Sequence, residues 1–373
     1  MSTEADKVPL SPFDRWQALF MGLYMSVVGY AVLAGIPVIS SAWSGLLGFS
    51  EPQVGRVAGA DLGGLSVGAV AAAFLVARMN RRWIVLVSIA VAVAANLACT
   101  QFDGYRETLI LRFIAGTGSG LFTGVAVATL GGRSHPAKAY NYLLFVFAFV
   151  QAGEMYVLPQ LSMSQIYWVF AASFVLVIPV LHWLPPYADP EPEEMGHGDA
   201  ATGESPRPLA RGISVPRIVP WLFLGAMALT YVNIGAYWTY IELATVDAAI
   251  DSTWVSSVLV WVSFFAVLGC FVATLISDRF GMGRPLLLTL LCQALAVGIL
   301  VSGLDAPRFL ISVYAFNFLW IFVDVYQMGS VASVDQSGRF ASLMPAAQGL
   351  GQIVGPNLAA SMLAYGNGYS SVF

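Results

Sequence analysis

Residues 185–216 read PPYADPEPEEMGHGDAATGESPRPLARGISVP. Prolines at 185, 186, 190, 192, 206, 208 and 216 oppose helix, and Asp189, Glu191, Glu193, Glu194, Asp199 and Glu204 leave the stretch too polar to pack a core. It reads as a flexible linker over 186–216, and both of its flanks have the opposite character. A bilayer core of about 30 Å needs about 20 apolar residues per helix. Such runs precede the linker at 17–41, 53–77, 83–100, 108–132, 139–161 and 166–184, and follow it at 218–241, 253–276, 285–303, 308–331 and 341–363. A further run is only beginning at Phe373. The expected fold class is therefore an all-α polytopic membrane protein. Its N-terminal six-helix bundle spans 1–185, and a second set over 217–373 has five full helices and lacks most of a twelfth.

The composition agrees. Of 373 residues, 58% are hydrophobic and 10% charged, against about 25% charged in ordinary soluble chains. Such a chain cannot clothe a water-soluble fold, so its partner is the lipid bilayer. The net charge of −4 is small and the basic residues are scattered, which sets nucleic acid aside. Cys99, Cys270 and Cys292 sit in apolar runs without metal-like spacing, and His135, His182 and His197 are far apart, so no metal or cofactor is expected. The segment Met1–Gln17 is charged, and the run after it is too long for a signal-peptide core, so it reads as a retained first span.

Basic residues in short loops set orientation. With the N-terminus in the cytoplasm, Lys7, Arg15, Arg78, Arg81, Arg82, Arg133, Lys138, Arg207, Arg211, Arg217, Arg279, Arg284 and Arg339 all fall on the cytoplasmic side. Only Arg56, Arg106, Arg112 and Arg308 lie at or near the outer face. The expected location is the inner (plasma) membrane.

The two halves also echo each other. Arg112-Phe113 opens the fourth span and Arg308-Phe309 the tenth; Pro159 follows the first by 47 residues and Pro356 the second by 48. Val372-Phe373 pairs in the same register with Val169-Phe170. The second and eighth spans both end in a basic turn, Arg78-Met-Asn-Arg-Arg82 and Asp278-Arg-Phe-Gly-Met-Gly-Arg284.

These features resemble the major facilitator superfamily of secondary transporters, over the whole chain. The loop motif of that family, Gly-x-x-x-Asp-Arg-x-Gly-x-(Arg/Lys)-(Arg/Lys), is matched after the eighth span by Asp278, Arg279, Gly281 and Arg284, with Thr274 at the leading glycine. After the second span Arg78, Arg81 and Arg82 remain, but Ala77 replaces the acid and Asn80 the turn glycine, a replacement that a left-handed backbone would tolerate. The resemblance implies a gating role for these seven residues. Arg112-Phe-Ile-Ala-Gly116-Thr-Gly118-Ser-Gly120 is similar to the family's fourth-helix motif. The proline-glycine motif of drug/proton antiporters is missing from the fifth span, while Gly351-Gln-Ile-Val-Gly355-Pro356 lies in the eleventh.

The resemblance implies alternating access and a cavity lined by spans 1, 4, 7 and 10, and the polar residues suggest what lines it. In the tenth span Tyr314, Asn317, Trp320, Asp324 and Gln327 share one helical face, which reads either as a water-filled cavity or as structural hydrogen bonds to a neighbouring helix. Asp61, Arg112 and Glu154 lie at similar depth in spans 2, 4 and 5. One reading makes Glu154 a proton carrier controlled by Arg112; the other makes the three a fixed ion-pair cluster. In span 7, Asn233, Tyr237 and Tyr240 share one face and Tyr231, Trp238 and Glu242 another. Substrate-binding expectations are Tyr24, Asn233, Tyr237, Asn317, Trp320, Asp324, Gln348 and Gln352; for proton coupling they are Asp61, Arg112, Glu154 and Asp324. Tyr240 and Glu242 are assigned to the interfacial belt. Spans 3, 6 and 9, poor in polar groups, are expected to face lipid. Glycines recurring every four residues in spans 2, 4 and 11 imply close helix packing.

The expected function is transport of a small organic solute, coupled to protons because no nucleotide-binding loop is present. The direction is open between symport and multidrug or metabolite efflux antiport, and a transporter-like sensor is a further alternative. An enzyme would need a nucleophile cluster, metal ligands or a paired base, and none is visible. A monomer is expected.

Overall fold

The computed structural model describes residues 11–76, 78–133, 136–187, 218–276, 283–334 and 339–373, with Pro216 and Gly281. Among them are eleven main helices and no strand. The helices are α1 (Trp16–Leu47), α2 (Glu51–Leu75), α3 (Arg81–Cys99), α4 (Tyr105–Gly131), α5 (Pro136–Val157), α6 (Met163–Val175), α7 (Val219–Asp247), α8 (Ser252–Ile276), α9 (Gly283–Gly298), α10 (Ala306–Val334) and α11 (Arg339–Ala364). Each falls on one of the eleven apolar runs, and among the described residues nine spans are long and apolar enough to cross a membrane. The protein is thus an all-α, multi-pass membrane protein. Most of the expected linker, and Asp278 and Arg279 of the second basic turn, lie outside the described residues.

Local chemistry sets the boundaries. Ser50 with Gln53 forms a capping box at the start of α2, and Ser162 with Gln165 does so at α6. Gly48, at φ +70°, ends α1 in the left-handed turn that glycine adopts without penalty. Pro159 and Pro179 convert the ends of the fifth and sixth spans into 3-10 turns, Leu158–Gln160 and Ile178–Trp183. Helix α1 runs six residues beyond the expected span and is interrupted at Tyr30 (φ −90°, ψ 1°). Asn80 corrects an expectation. Its φ is −62°, not left-handed, and its side chain accepts from the Arg82 N–H at 2.9 Å, so it caps α3 rather than imitating a turn glycine. Gly281 does adopt the left-handed turn, at φ +69°.

Small residues set the packing. A Cβ on Gly116 would strike the Asp61 carbonyl and one on Gly120 the Leu65 carbonyl, so α4 lies against α2 with backbones touching. On the other side Gly118 meets Ala92 and Ser88 of α3. Gly351 and Gly355 seat α11 on α7 in the same way, against the Ala228 and Val232 carbonyls. The helices on either side of the 188–215 segment meet where α2 crosses α11, from Gly55–Pro356 to Ser66–Gly349. They also meet where α5 packs on α8, with Gln151 accepting from Ser263 at 3.0 Å. The outer part of α1, Ala31–Leu47, packs on both α5 and α7, whereas its first part, Trp16–Gly29, packs on α4, α5 and α6. The two sets of helices also meet at the end carrying Glu51, where the Tyr240 hydroxyl donates to the Glu51 carbonyl at 2.7 Å.

Candidate functional site

Two polar clusters lie among the helices. The first follows from the α4 glycines. With Gly116 against α2 and Gly118 against α3, Arg112 one turn away reaches both neighbours. Its Nε and Nη2 donate to Asp61 Oδ2 at 2.7 and 2.5 Å, and its Nη1 donates to Asn96 Oδ1 at 2.7 Å. The guanidinium also lies 5.5 Å from the Tyr167 ring centroid on α6. Asp61 is 2% exposed and Arg112 1%. The pair is dry and fully partnered, and it ties together α2, α3, α4 and α6. Two expectations change here: Asn96 makes α3 a partner in this core rather than only a lipid-facing helix, and among the described residues the cluster joins Arg112 to Asp61 and Asn96 without Glu154 of α5.

Glu154 sits elsewhere. Its carboxylate abuts α1 at Gly35, where an added Cβ would lie 3.0 Å from Oε2. It lines a cavity of about 380 Å³ between α1, α5 and α6, together with Tyr24 and Phe170. Glu154 Oε2 has no hydrogen-bond partner. Tyr24 donates to the Ser173 carbonyl at 2.9 Å, bridging α1 to α6.

The second cluster centres on Asp324 of α10. The Tyr231 hydroxyl of α7 donates to its two oxygens (3.0 and 2.8 Å), and Gln348 Nε2 of α11 donates to the Tyr231 hydroxyl at 3.0 Å. Tyr30, at the interruption of α1, lies nearby. The Trp320 indole lies beside the carboxylate outside hydrogen-bond geometry, and its Nε1 is unpartnered. Trp238 stands 6.1 Å away, centroid to centroid, its Nε1 also unpartnered. Of the tenth-span stripe, Gln327 donates to Thr230 at 2.8 Å and Tyr314 stacks on Phe265 at 4.2 Å. Asn317 turns back to its own Val313 carbonyl at 3.0 Å. Asn317 and Trp320 line a cavity of about 290 Å³ between α5, α8 and α10, with Gln151 and Phe271.

On α7 the structure reverses the expected faces. Tyr231 and Trp238 turn to the Asp324 cluster, while Asn233 is exposed. Tyr237 is buried, bonded to Ser312 at 2.9 Å and stacked on Phe316 at 3.9 Å. Tyr240 is fully buried between α2 and α7, not a belt residue. Glu242 lines a cavity of about 410 Å³ at the Glu51 end, with Tyr156, Gln160, Ser252 and Ser256, and its Oε2 has no partner. Gln352 is buried against Gly235. The signal for Tyr231 was its seven-residue spacing from Trp238, two turns along one face.

At the opposite end, Arg82 donates to the Leu184 and His182 carbonyls at 2.8 and 2.7 Å, clamping the close of the sixth span. Arg81 is buried with its guanidinium 4.6 Å from the Phe13 ring centroid. Arg133 donates to the carbonyls of Phe13, Asp14 and Arg15. Arg78 and Arg284 are exposed.

A polar cluster drawn from α7, α10 and α11 inside an eleven-helix membrane fold defines a membrane transporter, and comparison bears this out. Residues 18–356 match the Major Facilitator Superfamily model, and the chain belongs to that family. No curated protein matches it. Among solved structures, it is similar to a bacterial homolog of the human lysosomal transporter Spinster, inward-facing and unoccupied (TM-score 0.70, 12% identity, covering 96% of this chain and 84% of that one). It is also similar to the nucleoside transporter NupG (0.68, 12%, 95% and 92%). The E. coli xylose transporter XylE, partially occluded and inward open, matches comparably (0.69, 14%, 93% and 92%). At these identities the likeness concerns the fold.

Proposed function

We propose that this protein is a secondary active transporter that carries a small organic solute by alternating access, with Asp324, Tyr231 and Gln348 at the binding site and protons as the coupling ion. The observation that carries the reading is the hydrogen-bonded run from Gln348 through Tyr231 to Asp324. It joins three helices at one acid about 15 Å from the Val334 end of α10. All three helices belong to the 217–373 set, and Tyr30 of α1 stands near Tyr231 from the other set, so a solute held between them makes the relative position of the two sets depend on what occupies the site. The two sets of helices, 1–185 and 217–373, rock about this site, and closure at the Glu51 end is one of the two states. The basic turns at Arg78, Arg81, Arg82 and Arg284 support a gating role at the other end, which the positive-inside rule makes cytoplasmic in the inner membrane.

Proton coupling rests on Glu154, a carboxylate in a mainly apolar cavity with no counter-charge among the described residues. Moving one charge through 100 mV supplies about 2.3 kcal/mol. Glu154→Gln is expected to abolish proton-driven accumulation in proteoliposomes, for whichever solute a flux screen finds, while leaving downhill counterflow intact; unchanged accumulation would remove Glu154 from the pathway. The same experiment, with the pH gradient reversed, separates symport from antiport.

A further inference from the structure

Within the spans Asp61 and Arg112 are buried, and Glu154, Glu242 and Asp324 are half-buried. Arg112 is already committed to Asp61, and the buried Arg81 lies at the Phe13 end of α3. No lysine, arginine or histidine among the described residues pairs with Asp324, whose neighbours are Tyr231, Trp320 and, through Tyr231, Gln348 and Tyr30. An acid in a membrane interior is costly unless a cation meets it. Beside it, Trp320 is 7% exposed and lines the α5–α8–α10 cavity with its indole N–H unspent. That cavity is otherwise mainly apolar, walled by Phe145, Phe147, Phe271 and Ile321. An aromatic face next to a carboxylate suits a cation twice over, through charge pairing and through the ring quadrupole. Asp324 follows Trp320 by one turn on α10, so the carboxylate lies beside the wall of that cavity rather than in it.

We propose that the solute is a small organic cation, a protonated amine with an apolar or aromatic body. Its ammonium pairs with Asp324, its body lies in the α5–α8–α10 cavity, and any oxygen it carries accepts from Trp320. This assignment rests on the transport reading of the Asp324 site. Because a proton and an ammonium compete for one carboxylate, acid pH weakens amine binding.

The test uses three probes of matched shape on the purified full chain: 2-phenylethylamine, 2-phenylethanol and 3-phenylpropionate. The thermal midpoint is expected to rise with the amine alone at millimolar concentration. Asp324→Asn should weaken amine binding by at least about tenfold, and Asp324→Glu should retain it. Equal stabilisation by the alcohol or the acid, no shift with the amine, or an amine shift that survives Asp324→Asn would each overturn the proposal. Should Asp324→Asn not fold, the probe series on the unaltered chain decides alone. Exchange of radiolabelled 2-phenylethylamine in proteoliposomes keeps the two readings apart: amine binding without exchange overturns transport and leaves the cation preference standing.

Discussion

At the scale of single residues, the two acids with partners do different work. Asp61 is paired with Arg112, which also holds Asn96, so the trio ties α2, α3 and α4 together. Breaking one side of a buried ion pair strands the other charge and costs about 3–5 kcal/mol. Arg112→Ala is therefore expected to lower the unfolding midpoint in detergent sharply, and an Asp61→Leu, Arg112→Met double variant less than either single change. Asp324 instead accepts from the neutral Tyr231 hydroxyl, and in the proposed site it meets the ammonium of the solute. The sequence singled out both acids and Arg112, since residue type and depth in an apolar run are legible. It grouped Glu154 with Asp61 and Arg112 because the three sit at similar depth, and separating Glu154 from the pair needs the azimuth of each helix. Tyr231 was missed for the same reason: periodicity separated the two faces of α7 without saying which one meets α10.

At the scale of elements, the α4 motif is a packing device that aims a charge. Gly116 and Gly120 bring α4 onto α2, and Gly118 brings it onto α3, so Arg112 reaches both. Gly116→Ala places a methyl against the Asp61 carbonyl and is expected to destabilise by about 1–3 kcal/mol through overpacking, read as a lower midpoint. An equal change at Gly153, where an added Cβ meets nothing, should be close to neutral. Four-residue glycine spacing made close packing of these helices readable in advance. The 3-10 turns at Pro159 and Pro179 and the interruption at Tyr30 were less so, because hydropathy records apolar length and not backbone path.

At the scale of the molecule, the linker composition and the eleven apolar runs carried the fold, and the family match over 18–356 agrees. The two sets of helices meet at the Glu51 end, where Tyr240 bonds Glu51 and α1 packs on α7. If the proposed cycle holds, that contact must break while the Arg82 end closes. Tyr240→Phe removes one bond across the closed end and is expected to shift the population toward the alternative state, by a factor of roughly 2–10 for about 0.5–1.5 kcal/mol. The measurement that bears most directly on alternating access is pulsed electron resonance between two label pairs in a cysteine-free background. One pair, at Leu46 and Thr253, reports the Glu51 end; the other, at Trp83 and Leu287, reports the opposite end. The account predicts that changing pH, or introducing Asp324→Asn, shifts the two distances in opposite senses. Distances at both ends that stay single and unchanged under every condition would contradict it.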